Sequence, residues 1–198
     1  MKLRAYHLIW RSAMLIVILM LSSCMHRRMT HLNDEDLKWM DNFNKYPTCT
    51  FTSNRGSHST LVVKEYNVWN SRNPFFISSN QSWDYEAAAE VVFEVLQSNR
   101  LLKGCFQIRK VLPQKKLAIF AILGNRTTND LPLQDVKEFK YKGTMFKECV
   151  IVDSLNSHIS PTKSYPFESD VKEMVVSKEY GLIYYSFSDG EEFFRDFE

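Results

Sequence analysis

From residue 47 onward, hydrophobic and polar residues alternate in short runs that turn-forming residues separate. Such runs, bounded by Gly, Pro, Asn, Asp or Lys-Gly turns, predict β-hairpins. The predicted strand pairs are 49–53 with 60–66, 104–112 with 116–123, 137–141 with 144–153, and 173–177 with 182–187, and an Asp189-Gly190 turn leads into 192–197. Turn signals recur about every 8–12 residues, which is typical of an antiparallel sandwich or barrel. The prediction is a mainly β fold of antiparallel hairpins in a sandwich or barrel-like sheet. Segments 125–132 and 154–169 are predicted as polar loops.

Segment 85–99 carries two competing patterns. Glu86, Glu90 and Glu94 recur every four residues, as on the solvated face of a helix. Small and apolar residues also occupy every second position, as on one face of a strand: Ala87, Ala89, Val91, Phe93 and Val95. The β-branched and aromatic residues in this run favour the strand.

One helix is predicted, over 32–44. Asn33 can cap its N-terminus, and the acidic run 34–36 suits the positive end of the helix dipole. Leu37, Trp39 and Met40 supply an apolar stripe.

The N-terminal 24 residues have the pattern of an export signal. Lys2, Arg4 and Arg11 precede an uncharged stretch, and the run 13–21 is wholly apolar. This order is typical of a secretory signal peptide. The apolar run is too short for a bilayer core, which needs about 20 residues.

The end of that stretch, Leu21-Ser22-Ser23-Cys24, resembles the lipobox of bacterial lipoproteins. The resemblance implies that a diacylglyceryl group joins the sulfur of Cys24, that the chain is cut between Ser23 and Cys24, and that the new amine is acylated. Several acyl chains give firm membrane attachment. The alternatives are an ordinary signal peptide with a chance cysteine and a retained transmembrane anchor. The expected organisation is a signal peptide at 1–23, a lipidated tether at 24–31 and one β-rich extracytoplasmic domain at 32–198.

Three further stretches resemble small lipoproteins of Bacteroidetes, a group without an assigned function. They are 32–39, 139–152 and 177–191. The resemblance implies an envelope location and a β-rich domain, and it carries no catalytic residues. Surface-exported members carry acidic residues just after the lipidated cysteine, where this chain has Arg27 and Arg28. We therefore expect attachment to the outer membrane facing the periplasm rather than display on the cell surface.

The charge balance argues against a nucleic-acid partner. The chain has 25 basic and 23 acidic residues, and the expected signal peptide holds three of the basic ones and no acidic one. The mature chain therefore has 22 against 23, a net charge of −1. A nucleic-acid role would need a basic excess.

Cysteine usage leaves two readings open. Beyond Cys24, the chain has Cys49, Cys105 and Cys149, which permit at most one disulfide in an exported protein. The alternative is that they are small buried hydrophobic residues on strands.

The sequence contains no catalytic motif. His26, His31, His58 and His158 lack the spacing of metal ligands, and no cofactor is expected apart from the lipid on Cys24. Carboxylates of the C-terminal turns, namely Asp170, Glu173, Glu191 and Glu192, are the candidates for glycoside hydrolysis.

We therefore expect a membrane-anchored, non-enzymatic binding or accessory module whose partner is an envelope protein or glycan. The candidate contacts are the loop aromatics Trp69, Phe75, Phe76 and Trp83, which are alternatively plugs for an open end of the sheet. The alternative function is an envelope glycan hydrolase. Asp153-Ser154-Leu155 matches the short pattern that Bacteroidetes use for O-glycosylation of exported proteins, which makes Ser154 a candidate acceptor.

Overall fold

The computed structural model describes residues 28–70, 84–98, 100–133, 136–160 and 170–197. Within these ranges the chain forms one helix, α1 (Asp34–Lys45), and fifteen strands. The strands are β1 (Arg28–Met29), β2 (Thr48–Ser53), β3 (His58–Trp69), β4 (Asp84–Tyr85), β5 (Ala88–Gln97), β6 (Leu101–Val111), β7 (Lys116–Leu123), β8 (Arg126–Thr128), β9 (Leu131–Pro132), β10 (Lys137–Tyr141), β11 (Thr144–Val152), β12 (Ser157–Ile159), β13 (Val171–Ser177), β14 (Gly181–Phe187) and β15 (Glu192–Arg195).

Thirteen of these strands form one antiparallel sheet. Twelve follow the order β10-β11-β13-β14-β15-β2-β3-β5-β6-β7-β8-β12, and β9 pairs with β7. Seven strands separate β8 from β13 in this order, yet the side chain of Arg126 on β8 donates to the carbonyl of Val171 on β13. The sheet is therefore curled, like half of a barrel. This confirms the predicted mainly β, antiparallel, barrel-like fold, and each predicted hairpin is present.

The two predicted polar loops contain short strands, so that part of the prediction was wrong. Strands β8 and β9 lie within 125–132, and β12 lies within 154–169 and pairs with β8. Asn125 and Arg126 are buried because they bond to the start of β13. Polar residues that hydrogen-bond to a strand distant in sequence cannot be told from loop residues by the sequence pattern alone, which is why the strands were missed.

Helix α1 fills the concave side of the sheet. Asn33 caps it with the capping box: its side chain accepts from the amide of Asp36 at 2.8 Å, and its own amide donates to the Asp36 carboxylate at 3.0 Å. The buried ring of Phe43 stacks on Phe93 and Phe106, with centroids 5.8 and 5.9 Å away. The helix and its buried Trp39 and Met40 confirm the prediction.

Strand β5 resolves the ambiguity of segment 85–99. The alternating set from Ala87 to Val95 is fully buried against the helix. The glutamates face the other side, where Glu94 pairs with Lys64 at 3.1 Å and Glu90 accepts from Gln107 at 3.1 Å. The preferred strand interpretation is therefore confirmed.

A second hydrophobic cluster covers the outer face of β13, β14 and β15. The hairpin β10–β11 bends at Glu148, whose φ is +48°. Its aromatic rings then pack onto the outer face, with Phe139 over Tyr184 and Tyr141 over Phe194. Strand β14 is thus buried on both faces.

The chain just before the helix is also part of the domain. Arg28–Met29 pairs in parallel with Asp84–Tyr85. The buried hydroxyl of Thr30 donates to the carbonyl of Lys110 and accepts from the amide of Ala87, both at 2.8 Å. Thr30 thus connects the residues before the helix to the main sheet, while β1 and β4 form a separate two-stranded sheet.

Candidate functional site

A groove runs between the exposed face of α1 and the turn that joins β13 to β14. Its volume is about 630 Å³. We call it the helix groove; most of its lining residues are charged, and they are Glu35, Lys38, Asp41, Asn42, Lys45, Tyr46, Lys147, Glu148, Lys178, Glu179 and Tyr180. A helix whose other face is buried presents such polar residues to solvent.

Lys178 is the centre of the helix groove. Its Nζ lies 2.8 Å from Oε1 of Glu35 on the helix and 2.8 Å from Oε1 of Glu148 on β11. Its backbone carbonyl accepts from the side chain of Asn42 at 2.8 Å. The turn can approach the helix because Gly181 follows it: φ there is +70°, and a Cβ would lie 3.4 Å from the ring of Phe43.

These bonds shift the ionisation of the groove. Hydrogen bonds from Lys178 and Lys38 lower the pKa of Glu35 to about 2. Hydrogen bonds to Glu148 and Glu35 raise the pKa of Lys178. The Lys178 side chain is only 17% exposed, whereas its two carboxylate partners are mostly exposed. The ammonium group is therefore held in place while the carboxylates stay accessible.

A second groove, of about 320 Å³, adjoins the first and shares Tyr46 and Tyr180 with it. We call it the arginine groove, since the buried guanidinium of Arg195 lies on its floor. The carbon of that guanidinium is 5.4 Å from the ring of Tyr46 and 5.7 Å from the ring of Phe197. Arg195 Nη1 also donates to the carbonyl of Tyr180. Tyr46 and Phe197 are 42% and 43% exposed, so each presents part of a ring to solvent beside a cation.

Of the loop aromatics predicted as ligand contacts, Trp69 does not line either groove. Trp69 is the last residue of β3 and is 48% exposed. Phe75, Phe76 and Trp83 lie outside the described residues, as do Ser23 and Cys24. The structure therefore places only Trp69 of the four aromatic candidates.

The four candidate carboxylates do not form one cluster. Glu173 and Glu192 lie opposite Ser186 on either side of it, on the outer face of the sheet. Two strand spacings put their backbones about 10 Å apart. Burial raises the pKa of Glu173. Asp170 instead bonds to Asn125 at 2.5 Å, and Glu191 is buried at the β14–β15 turn.

Ser154 is exposed in the turn between β11 and β12. Oδ1 of Asp153 accepts from the amide of Leu155 at 2.8 Å, which holds the turn. The side chain of Leu155 is 91% exposed. The Asp-Ser-Leu segment is thus presented to solvent.

The three remaining cysteines are free thiols on strands. Cys149 is buried, and Cys49 and Cys105 are half-buried. Burial raises the pKa of Cys105 to about 12 and that of Cys149 to about 11. Of the two readings, the structure shows the apolar role.

The described residues hold neither a metal-ligand cluster nor a membrane-spanning helix. Nowhere in that part of the chain do three His, Cys, Asp or Glu side chains come close enough to hold a metal ion. Among the same residues, no helix has the length and hydrophobicity needed to cross a membrane.

Comparisons with protein-family models, with curated proteins and with solved structures found no match to this chain.

The grooves themselves have no local sequence signal, because Tyr46, Lys178 and Arg195 come from three distant segments. A glycine after a Lys-Glu-Tyr turn is the one hint that this turn packs closely on another element.

Proposed function

We propose that this protein is a lipid-anchored accessory module of the bacterial envelope that binds another envelope protein through the helix groove and the arginine groove. The lipobox resemblance at Leu21–Cys24 supports the anchor. The observation that carries the binding role is the pair of part-exposed rings, Tyr46 and Phe197, that lie 5.4 and 5.7 Å from the guanidinium of Arg195 in the arginine groove. In this proposal the domain faces the periplasm and performs no catalysis.

The residue types of the arginine groove favour a protein partner. Tyrosine and arginine are enriched among the residues that dominate protein–protein binding energy. A guanidinium already in contact with two rings and bonded to the carbonyl of Tyr180 loses little further freedom when a partner carboxylate or carbonyl approaches it. The groove is therefore suited to take one acidic or carbonyl group of the partner at Arg195, with apolar contacts on both rings.

The helix groove adds charge selectivity. Exposed ion pairs contribute little to stability, and a partner's charges can replace one member without a large cost. Glu35 and Glu148 stay exposed while they hold Lys178. We expect a partner to bring basic groups to these carboxylates.

Co-purification tests the proposal. The full-length chain is expressed in its native kind of host, lightly crosslinked, solubilised from membranes and analysed for bound proteins. We expect one stoichiometric protein in the wild type, and its loss in Tyr46→Ala. Met145→Ala is the matched control, because Met145 is equally exposed but lies in the β10–β11 hairpin, outside both grooves. Cys24→Ala tests the anchor and should release the chain from membranes.

Other results would overturn this assignment. A protein that binds the wild type and Tyr46→Ala equally would place the interface elsewhere. A glycan recovered in place of a protein would make the module a glycan-binding one.

An envelope glycan hydrolase is the second candidate. One observation favours it: Glu173 and Glu192 lie on the two strands that flank Ser186. Burial raises the pKa of Glu173, as a general acid requires. A general acid and a general base on opposite sides of a sugar need two carboxyl groups roughly 6.5–9.5 Å apart. Release of reducing ends from purified envelope glycan, lost in Glu173→Gln, would establish it. No release by the wild-type chain would exclude it.

A further inference from the structure

The first residue that the structure describes, Arg28, lies close in sequence to the proposed lipid on Cys24. Arg28 is held by its pairing with Asp84, and Cys24 lies four positions earlier. Each Cα–Cα step spans at most 3.8 Å, so Arg28 lies within about 15 Å of Cys24 however the chain runs between them. If Cys24 carries acyl chains, the corner of the domain that holds β1 lies against the bilayer.

Strand β3 ends at this same corner. Asn70 accepts from the amide of Leu32 at 3.0 Å and donates back to its carbonyl at 3.4 Å. Trp69, next to it, is 48% exposed, and Val68 is also exposed. Tryptophan prefers the headgroup level of a bilayer, where its ring is buried and its N–H finds polar partners.

The turn between β6 and β7 completes the corner. Thr30 bonds to the carbonyl of Lys110, and Lys110 lies opposite Leu117 at the end of this hairpin. The following turn exposes Lys115 and Lys116. Two acidic side chains next to this hairpin have partners of their own: Asp36 holds Lys110 at 2.7 Å, and Glu86 accepts from the amide of Leu112 at 2.9 Å. The two lysines therefore give this corner an outward positive charge.

We propose that this corner, which we call the membrane corner and which comprises Trp69, Val68, Lys115 and Lys116 beside β1, is the face that the anchored domain lays on the bilayer. Trp69 lies among the lipid headgroups, and Lys115 and Lys116 bind lipid phosphates. The inference rests on the lipid anchor of the proposed function and adds an orientation to it. The β2–β3 turn at 54–57 then points away from the membrane, since the twelve residues of β3 span about 36 Å.

Photo-crosslinking in the full-length chain tests this orientation. A benzophenone-bearing phenylalanine replaces Trp69 in one variant and Ser57 in the other. Both positions are exposed, and they lie at opposite ends of β3. After irradiation of intact membranes, mass spectrometry measures phospholipid adducts on the surrounding peptides. We expect adducts at position 69 and none above background at position 57.

A charge-reversal pair tests the lysines. Lys115→Glu with Lys116→Glu should reduce the adduct yield at position 69. The control is Lys140→Glu with Lys142→Glu, which makes the same change of charge on exposed lysines in the β10–β11 hairpin. The control should leave the adduct yield unchanged.

The mass of the N-terminal peptide separates the two ways of failing. If Cys24 carries lipid and the chain is in the membrane fraction, then equal adducts at 57 and 69, or none at 69, overturn the membrane corner and leave the anchor standing. If Cys24 carries no lipid and the chain is not membrane-bound, the anchor of the proposed function fails, and the membrane corner fails with it.

Discussion

The ammonium group of Lys178 lies 2.8 Å from the carboxylate of Glu35, and so joins the β13–β14 turn to the first turn of helix α1. A residue 143 positions along the chain thus holds the helix at the groove. The contact is partly solvated, because Glu35 is mostly exposed. It orients the groove more than it stabilises the fold.

Lys178→Ala should therefore lower the urea midpoint of unfolding only slightly, and in a pH-dependent way. The folded pKa of Glu35, about 2, is below its ordinary value of 4.5. The contribution of Glu35 is present above pH 4.5 and is lost as the pH falls through about 2. The difference between wild type and variant should shrink over that interval. The comparison is Lys140→Ala, an exposed lysine outside the groove, and the same pH trend in both variants would contradict the assignment.

Arg126 closes the curl of the sheet, and its loss should be much more costly. It is 5% exposed, its Nε donates to the carbonyl of Val171 at 2.5 Å, and its Nη1 donates to the hydroxyl of Ser157 at 2.8 Å. Bonds to a charged donor contribute roughly 1.5–3 kcal/mol each. Arg126→Met keeps the apolar stem and removes both bonds, so the free energy of unfolding should fall by roughly 3–6 kcal/mol. Urea denaturation measures this free energy, and Lys116→Met, at an exposed lysine, is the control. If both variants lose the same free energy of unfolding, Arg126 does not hold the two ends of the sheet together.

The hairpins were predictable because their signals are local. Turn chemistry such as Asp189-Gly190 and the two-residue period of strand positions both lie within one hairpin. Helix α1 was predictable for the same reason, because the cap at Asn33 and the apolar stripe both lie within about one dozen consecutive residues. Segment 85–99 was ambiguous because glutamates that pair across strands, such as Glu94 with Lys64, imitate a helical face.

What the sequence could not supply depends on contacts between distant segments. Strands β8 and β12 are short and polar, and they form where Arg126 meets Val171, 45 positions away. The grooves likewise assemble from the end of the helix at Tyr46, the turn at Lys178 and the last strand at Arg195. No local sequence pattern predicts these contacts, since each of these polar residues, taken alone, has the pattern of a solvent-exposed surface residue.

The buried phenol of Tyr185 should make the folded chain sensitive to alkali. Its hydroxyl bonds with Ser59 at 2.6 Å and accepts from Gln97 at 3.1 Å. Burial raises its pKa above the ordinary 10.0, and burial also raises the pKa of Tyr184 to about 12. For a raised pKa, the stabilising contribution is complete below pH 10 and is lost as the pH rises through the folded value.

Absorbance at 295 nm checks this directly. In the folded protein, at least Tyr184 and Tyr185 should stay neutral beyond pH 11. In urea all tyrosines should ionise near the ordinary value of about 10. Tyr185→Phe should remove one of the late-titrating groups and make the loss of stability above pH 10 less steep. Complete ionisation of the folded chain by pH 11 would contradict the buried environment of both rings.

The exposure of Ser154 makes O-glycosylation of this turn a specific prediction. A transferase must reach the hydroxyl, and the turn presents it beside a Leu155 side chain that is 91% exposed. The chain from its native kind of host should be heavier than the polypeptide plus the lipid proposed for Cys24, and Ser154→Ala should remove that excess mass. Ser57→Ala, an exposed serine in the β2–β3 turn without the Asp-Ser-Leu pattern, should leave the excess unchanged. Intact-mass measurement with peptide mapping decides the outcome: an excess that survives Ser154→Ala assigns the glycan to another residue, and a wild-type mass equal to polypeptide plus lipid shows that the turn is unmodified.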